Sequence, residues 1–166
     1  AAQMDLMSPN IEENAAYRYA VYRAHHYNRG LNVELLASFE PQLSGLHEWW
    51  VQLFAESEGK DGKGLYPTSA TFSKQLHSLG QFIQQGSPIL FETMLRFANV
   101  KDDFQLTDEH LVEWDNQFPK LSLNTMNGMM AESVIKAHRE ANIPIVELIA
   151  EKYDAYHIGY LLYFFM

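Results

Sequence analysis

The sequence predicts an α/β protein: a three-layer α/β/α sandwich on a largely parallel sheet, with helices on both faces. Three observations predict it. Short runs rich in Val, Leu and Ile at residues 31–39, 87–97 and 142–150 read as strands buried on both sides. Segments of helical periodicity separate them and are long enough for crossovers between parallel neighbours. No repeat, low-complexity stretch or linker interrupts the 166 residues, so residues 1–166 are expected to form a single domain.

Each element has a local reason. From Asn10 to Asn28 the pattern is helical, with Ala16, Ala20, Ala24 and Tyr27 on one stripe and Gly30 as the stop. The run "LNVELLASF" follows and is closed by Pro41. Ser44 is placed to cap a helix through Phe54, with Leu46, Trp49, Trp50, Leu53 and Phe54 on its apolar face. The glycine-rich stretch ending at Pro67 reads as a flexible connection. Ser73 opens a helix carrying Leu76, Leu79, Phe82 and Ile83, stopped at Gly86. "SPILFETMLRF" is the second strand, with Pro88 near its start, where a missing N–H does least harm. Residues 101–124 are polar and mixed, with Thr107 a cap before a short helix. A helix over Asn127–Ala141 leads into "NIPIVELIA", the third strand, and a last helix begins near Asp154.

Composition narrows the function classes. A formal charge of -9 without a Lys/Arg cluster speaks against nucleic acid or an anionic membrane as partner. No apolar run reaches the roughly 20 residues of a membrane span. The chain contains no cysteine, which removes disulfides and thiolate chemistry and suits a reducing compartment. "AAQMDLM" at the start and the apolar "HIGYLLYFFM" at the end lead us to expect a piece of a larger protein, cut at both ends.

Familiar motifs fail on spacing. "HEWWV" has Val51 where a zinc-binding helix needs its second His, and "GKDGKG" has Gly64 where a phosphate loop needs Ser or Thr. Ser69, Ser73 and Ser78 lack the context of a nucleophile elbow. His25 and His26 read as lying on a polar helix face and His110 near a helix start. His138 and His157 lack an acidic or imidazole partner at ligand spacing. His77 differs, because it shares a helix face with Gln81 and lies beside Gly80, which would admit another backbone or a ligand. Glu56 ends the preceding helix at the glycine loop. A carboxylate and an imidazole on adjoining elements suit proton transfer near neutral pH, although spacing alone leaves an ordinary solvated Glu56 at a helix end standing as the alternative. Trp49 and Trp50 read as core.

The stretch "WWVQLFAESEGKDGKGLYPTSATFSKQLHSLGQFIQQG" resembles the bacterial form of the glucose-6-phosphate isomerase family. There a Gln-Leu-x-x-Glu-Ser-x-Gly-Lys segment precedes a Leu-His-Ser-x-Gly-Gln helix. The similarity runs from "NIEENAAYRYA" through "SPILFETML" and resumes at "IGYLLYFF", while residues 101–142 match poorly. The resemblance implies a sandwich of the sugar isomerase (SIS) type, of which this chain would form much of the second domain.

It also implies chemistry. Glu56 would be the base that moves a proton between C1 and C2 of the open-chain sugar phosphate through an enediol. His77, reaching the neighbouring subunit's site in a homodimer, would protonate the ring oxygen during ring opening, and Gln52 would lie beside the substrate. The implied reaction interconverts glucose 6-phosphate and fructose 6-phosphate in the cytoplasm without metal or organic cofactor. The family's Gly-Gly-Arg signature, its Ser/Thr-rich phosphate grip and its catalytic lysine do not appear here, so this chain alone is expected to be inactive. The alternative is a non-catalytic module that binds a phosphosugar or a protein partner.

Overall fold

The computed structural model describes residues 2–101, 103–107 and 121–166. Its helices are α1 (Ala2–Asp5), α2 (Ala15–Asn28), α3 (Ser44–Glu58), α4 (Phe72–Gln85), α5 (Leu123–Glu140) and α6 (Ala155–Phe165). Its strands are β1 (Val33–Ser38), β2 (Tyr66–Thr71), β3 (Leu90–Asn99) and β4 (Ile145–Lys152), and they form one parallel sheet in the order β2-β1-β3-β4.

Alternation along the central strands divides the core. Leu36 and Leu95 face a layer containing Tyr19 of α2, Trp50 and Phe54 of α3, and Phe164 and Phe165 of α6. Leu35, Ala37 and Met94 face the opposite layer, with Phe72 and Ile83 of α4 and Ala131 and Ile135 of α5. This is the expected three-layer arrangement. Fully burying one such side chain contributes about 1.5–3 kcal/mol. The chain moves from β1 outward to β2 over α3, then returns past β1 to β3 over α4 on the other face. That reversal puts the switch point of the sheet between β1 and β3.

Several local expectations change. The connection expected to end at Pro67 gives way at Tyr66 to a strand: "YPTSAT" pairs in parallel with β1, Pro67 opposite Glu34. An edge strand bonds on one side only and therefore tolerates Pro67. The inward face of α2 is Tyr19, Arg23 and His26, whereas Ala20 and Ala24 are exposed. Burial here follows pairing partners in the sheet more than apolar character. The start of α2 is Asn14, fully buried, whose Oδ1 accepts from the Ala16 and Tyr17 N–H groups at 3.0 and 3.2 Å.

Ser44 is the first residue of α3 and makes no capping bond, because a short 3-10 turn over Pro41–Leu43 already leads the chain into the helix. The helix α3 continues four residues beyond Phe54 to Glu58. The helix α5 starts at Leu123, four residues before Asn127, because Ser122 accepts from the Thr125 N–H at 3.2 Å. Asp154 caps α6 as expected, accepting from the His157 N–H at 2.9 Å. The short helix expected after Thr107, with His110, lies outside the described residues.

Candidate active site

Gln52 and Glu56 stand one turn apart on the exposed side of α3, and Gln52 Nε2 donates to Glu56 Oε1 at 3.4 Å. The helix ends two residues later. Gly59 leaves it at φ -71° and ψ 69°, its N–H reaching Ala55 O at 3.3 Å. Asp61 (φ 54°), Gly62 (φ 69°) and Gly64 (φ 114°) then bend the chain through left-handed conformations. A Cβ on Gly64 would lie 2.6 Å from Glu58 O. The stretch read as a flexible connection is thus a turn folded tightly against the helix end, and only glycine fits at position 64.

The buried side of the same helix end is held by charge. The Arg23 guanidinium bonds Glu58 through two nitrogens, at 2.5 and 3.0 Å, and Glu34 through Nε at 2.6 Å. Its plane covers the Phe54 ring at 3.9 Å. Glu34 sits fully buried on β1 and also accepts from Tyr19 Oη at 2.5 Å and Thr93 Oγ1 at 2.8 Å. Burial works against the Arg23 charge, but the hydrogen bonds to Glu58 and the charge of Glu34 outweigh it and raise its pKa. Burial, reinforced by Glu34, raises the Tyr19 hydroxyl well above its ordinary value and keeps it a donor. Sequence reading missed this group. The available signal was a carboxylate at the second position of an otherwise apolar strand, which demands a buried partner.

His77 lies exposed on α4. Gln81 shares its face as expected, four residues on along α4, and donates to Gln85 at 2.7 Å. A Cβ on Gly80 would touch only the Leu76 side chain, at 3.4 Å, so among the described residues no other backbone uses the space. The helices α3 and α4 pack on opposite faces of the sheet, and among the described residues no hydrogen bond joins Glu56 or Gln52 to His77. The structure thus brings Gln52 and Glu56 together and leaves His77 on another layer.

None of the three lines the larger cavities. One of about 690 Å³ lies between α2, β4 and α6, among Tyr22, Leu148, Tyr160 and Phe164. Another of about 370 Å³ lies at the carboxyl ends of β1 and β3, beside Glu40, Arg96 and Asn127. Glu56 therefore opens to solvent, outside these cavities.

Other histidines correct the sequence reading. His26 is buried against Phe91, their rings stacked at 5.1 Å, and burial lowers its pKa, with His25 and Arg29 adding to the effect. His138 lies 2.6 Å from Glu92 of β3, and His157 Nδ1 lies 2.7 Å from Asp154, so both have acidic partners. Among the described residues, no three His, Asp or Glu are placed to share a metal ion, and no helix is long and apolar enough to cross a membrane.

Comparison with known proteins carries the identification. No protein-family model matches the chain. A hypothetical protein of Thermus thermophilus superposes with a TM-score of 0.88 at 23% identity, covering 99% of this chain and 40% of that one. A glucose-6-phosphate isomerase of Chlamydia trachomatis superposes with a TM-score of 0.73 at 17% identity, covering 99% of this chain and 34% of the other. These two establish the class, an α/β domain with a parallel sheet between helical layers. In sequence, the glucose-6-phosphate isomerase of Clostridium tetani is 39% identical over 165 residues, 99% of this chain and 37% of that protein. That of Mycoplasmopsis synoviae is 44% identical over 166 residues, 98% of this chain and 38% of the relative. The chain belongs to the glucose-6-phosphate isomerase family and spans about 37% of the length of the curated relatives it matches.

Proposed function

We propose that the protein containing this chain interconverts glucose 6-phosphate and fructose 6-phosphate, with Glu56 as the proton carrier. The observation that carries the reading is the Gln52–Glu56 pair, one turn apart on the open side of α3 and in contact at 3.4 Å. In the open-chain aldose, the Glu56 carboxylate takes the C2 proton, giving an enediol, and returns it to C1, giving the ketose. The hydroxyl proton moves in the same sense, from O2 to O1, so the reaction is balanced without redox partner or cofactor. Gln52 orients the carboxylate and faces the sugar.

The exposure of Glu56 fits a cleft whose other wall belongs to the remaining length seen in the relatives. That length would also hold the phosphate-binding residues and a lysine. The placement of His77 on the opposite layer from Glu56 fits a homodimer of SIS-type domains in which each His77 opens the sugar ring in its neighbour's site. The test is Glu56→Gln in the intact protein. It keeps shape and removes the base, so kcat falls by at least about 10³-fold while sugar-phosphate binding persists. Normal turnover by this variant would eliminate the reading, and binding without turnover by the unaltered protein would favour the non-catalytic module.

A further inference from the structure

We propose that Arg23 is a positioning residue for the Glu56 carboxylate and acts through Glu58; this rests on the reading of Glu56 as the base. A base at the end of a helix has a physical problem. The last turn of a helix lacks part of its hydrogen bonding and is the first to fray, and a misplacement of about 1 Å costs on the order of 10²-fold in rate. Here Gly59 supplies only one long closing bond, 3.3 Å to Ala55 O, and the last turn of α3 carries no basic residue.

The guanidinium of Arg23 supplies what the backbone lacks. It grips Phe54 by its face and Glu58 by its edge, the two residues that flank Glu56 at i-2 and i+2. Both point inward from the side opposite Glu56, so the clamp fixes the turn and leaves the catalytic carboxylate open. Its own anchor is rigid, because Glu34 lies in the centre of the sheet with Tyr19 and Thr93 filling its remaining acceptor sites. The helix α2 holds the following loop as well, since the Gly64 N–H donates to Tyr27 Oη at 3.3 Å. A buried ion network contributes little net stability over an apolar replacement, and its return is in geometry.

The test uses the intact protein, with kcat and KM normalised to folded protein. The Glu58 side chain is 34% exposed, so Glu58→Ala should fold. We expect its kcat to fall about tenfold with KM within about threefold of the parent. Glu58→Gln, whose amide oxygen still accepts from Arg23, should recover to within about threefold of the parent. Arg23→Lys keeps the charge beside Glu34 but cannot bridge two carboxylates, and should lose kcat like Glu58→Ala. Unchanged kcat in Glu58→Ala, or a loss confined to KM or to melting temperature, overturns the proposal. Glu56→Gln in the same assay separates the two ideas. If it turns over normally, the base assignment falls and this proposal with it; if it is inert while Glu58→Ala is normal, only the positioning role is lost.

Discussion

Glu34 and Glu92 are both fully buried, lie on neighbouring strands one register step apart, and face opposite layers of the sheet. Glu34 has three donors from Arg23, Tyr19 and Thr93, whereas Glu92 has His138 Nδ1 at 2.6 Å and an Oε1 that finds no partner among the described residues. The two carboxylates therefore play unequal parts, one as the root of a satisfied network and the other as half of a pair joining α5 to β3.

Unequal satisfaction gives a stability prediction. Removing one member of a buried pair strands the other, so His138→Leu should cost about 3 kcal/mol. Adding Glu92→Met should recover at least half of that loss, because two apolar side chains leave nothing unpaired. Urea unfolding of the single and double variants measures this, and simple additivity would show that the pair is uncoupled.

A second prediction concerns pH. His47 Nε2 lies 3.1 Å from Ser38 Oγ inside the core, and burial pushes its pKa down to about 4. The folded state thus favours the neutral ring more than the unfolded chain does. The stabilisation is complete above about pH 6.5 and is lost as pH falls from there towards 4. The contribution is on the order of 3 kcal/mol, so His47→Gln should flatten the fall in unfolding free energy between pH 7 and pH 4.5. An unchanged slope would show that His47 is not responsible.

The glycine loop separates close approach from backbone strain. At Gly64 a Cβ meets both a positive φ and Glu58 O at 2.6 Å, whereas at Gly62 it meets only the positive φ, with open space around it. Gly62→Ala should cost about 1 kcal/mol and Gly64→Ala at least about 2 kcal/mol. Only Gly64→Ala should also lower kcat, since it displaces the end of α3. Thermal midpoints and turnover of the two variants decide it, and equal effects would refute the distinction.

If His77 serves the neighbouring subunit, inactive variants should rescue each other. A dimer of one Glu56→Gln and one His77→Ala subunit holds one site with both native groups and one with neither. Mixing and reassociating the two inactive proteins should therefore restore about a quarter of the parent activity. No recovery would confine the two groups to sites within single chains. His77→Ala alone should also slow turnover of the cyclic sugar more than that of an open-chain analogue, as a ring-opening role requires.

The sequence by itself determined the layer architecture, three of the four described strands, and the Gln52–Glu56 spacing, because each depends on residues close along the chain: apolar periodicity, helix stops at glycine, and the i,i+4 neighbourhood of a helix. The roles proposed for Glu56 and His77 come from the resemblance of the motif around them, not from local pattern. Tertiary structure alone decided the rest. It turned "YPTSAT" into an edge strand by pairing it with β1, and it buried Arg23, His26 and His138 by setting Glu34, Phe91 and Glu92 against them. It also placed Glu56 and His77 on elements in different layers. The physical reason is that burying charge requires partners distant in sequence, here separated by 11, 35 or 46 positions, and local pattern carries no record of which distant side chain will meet which.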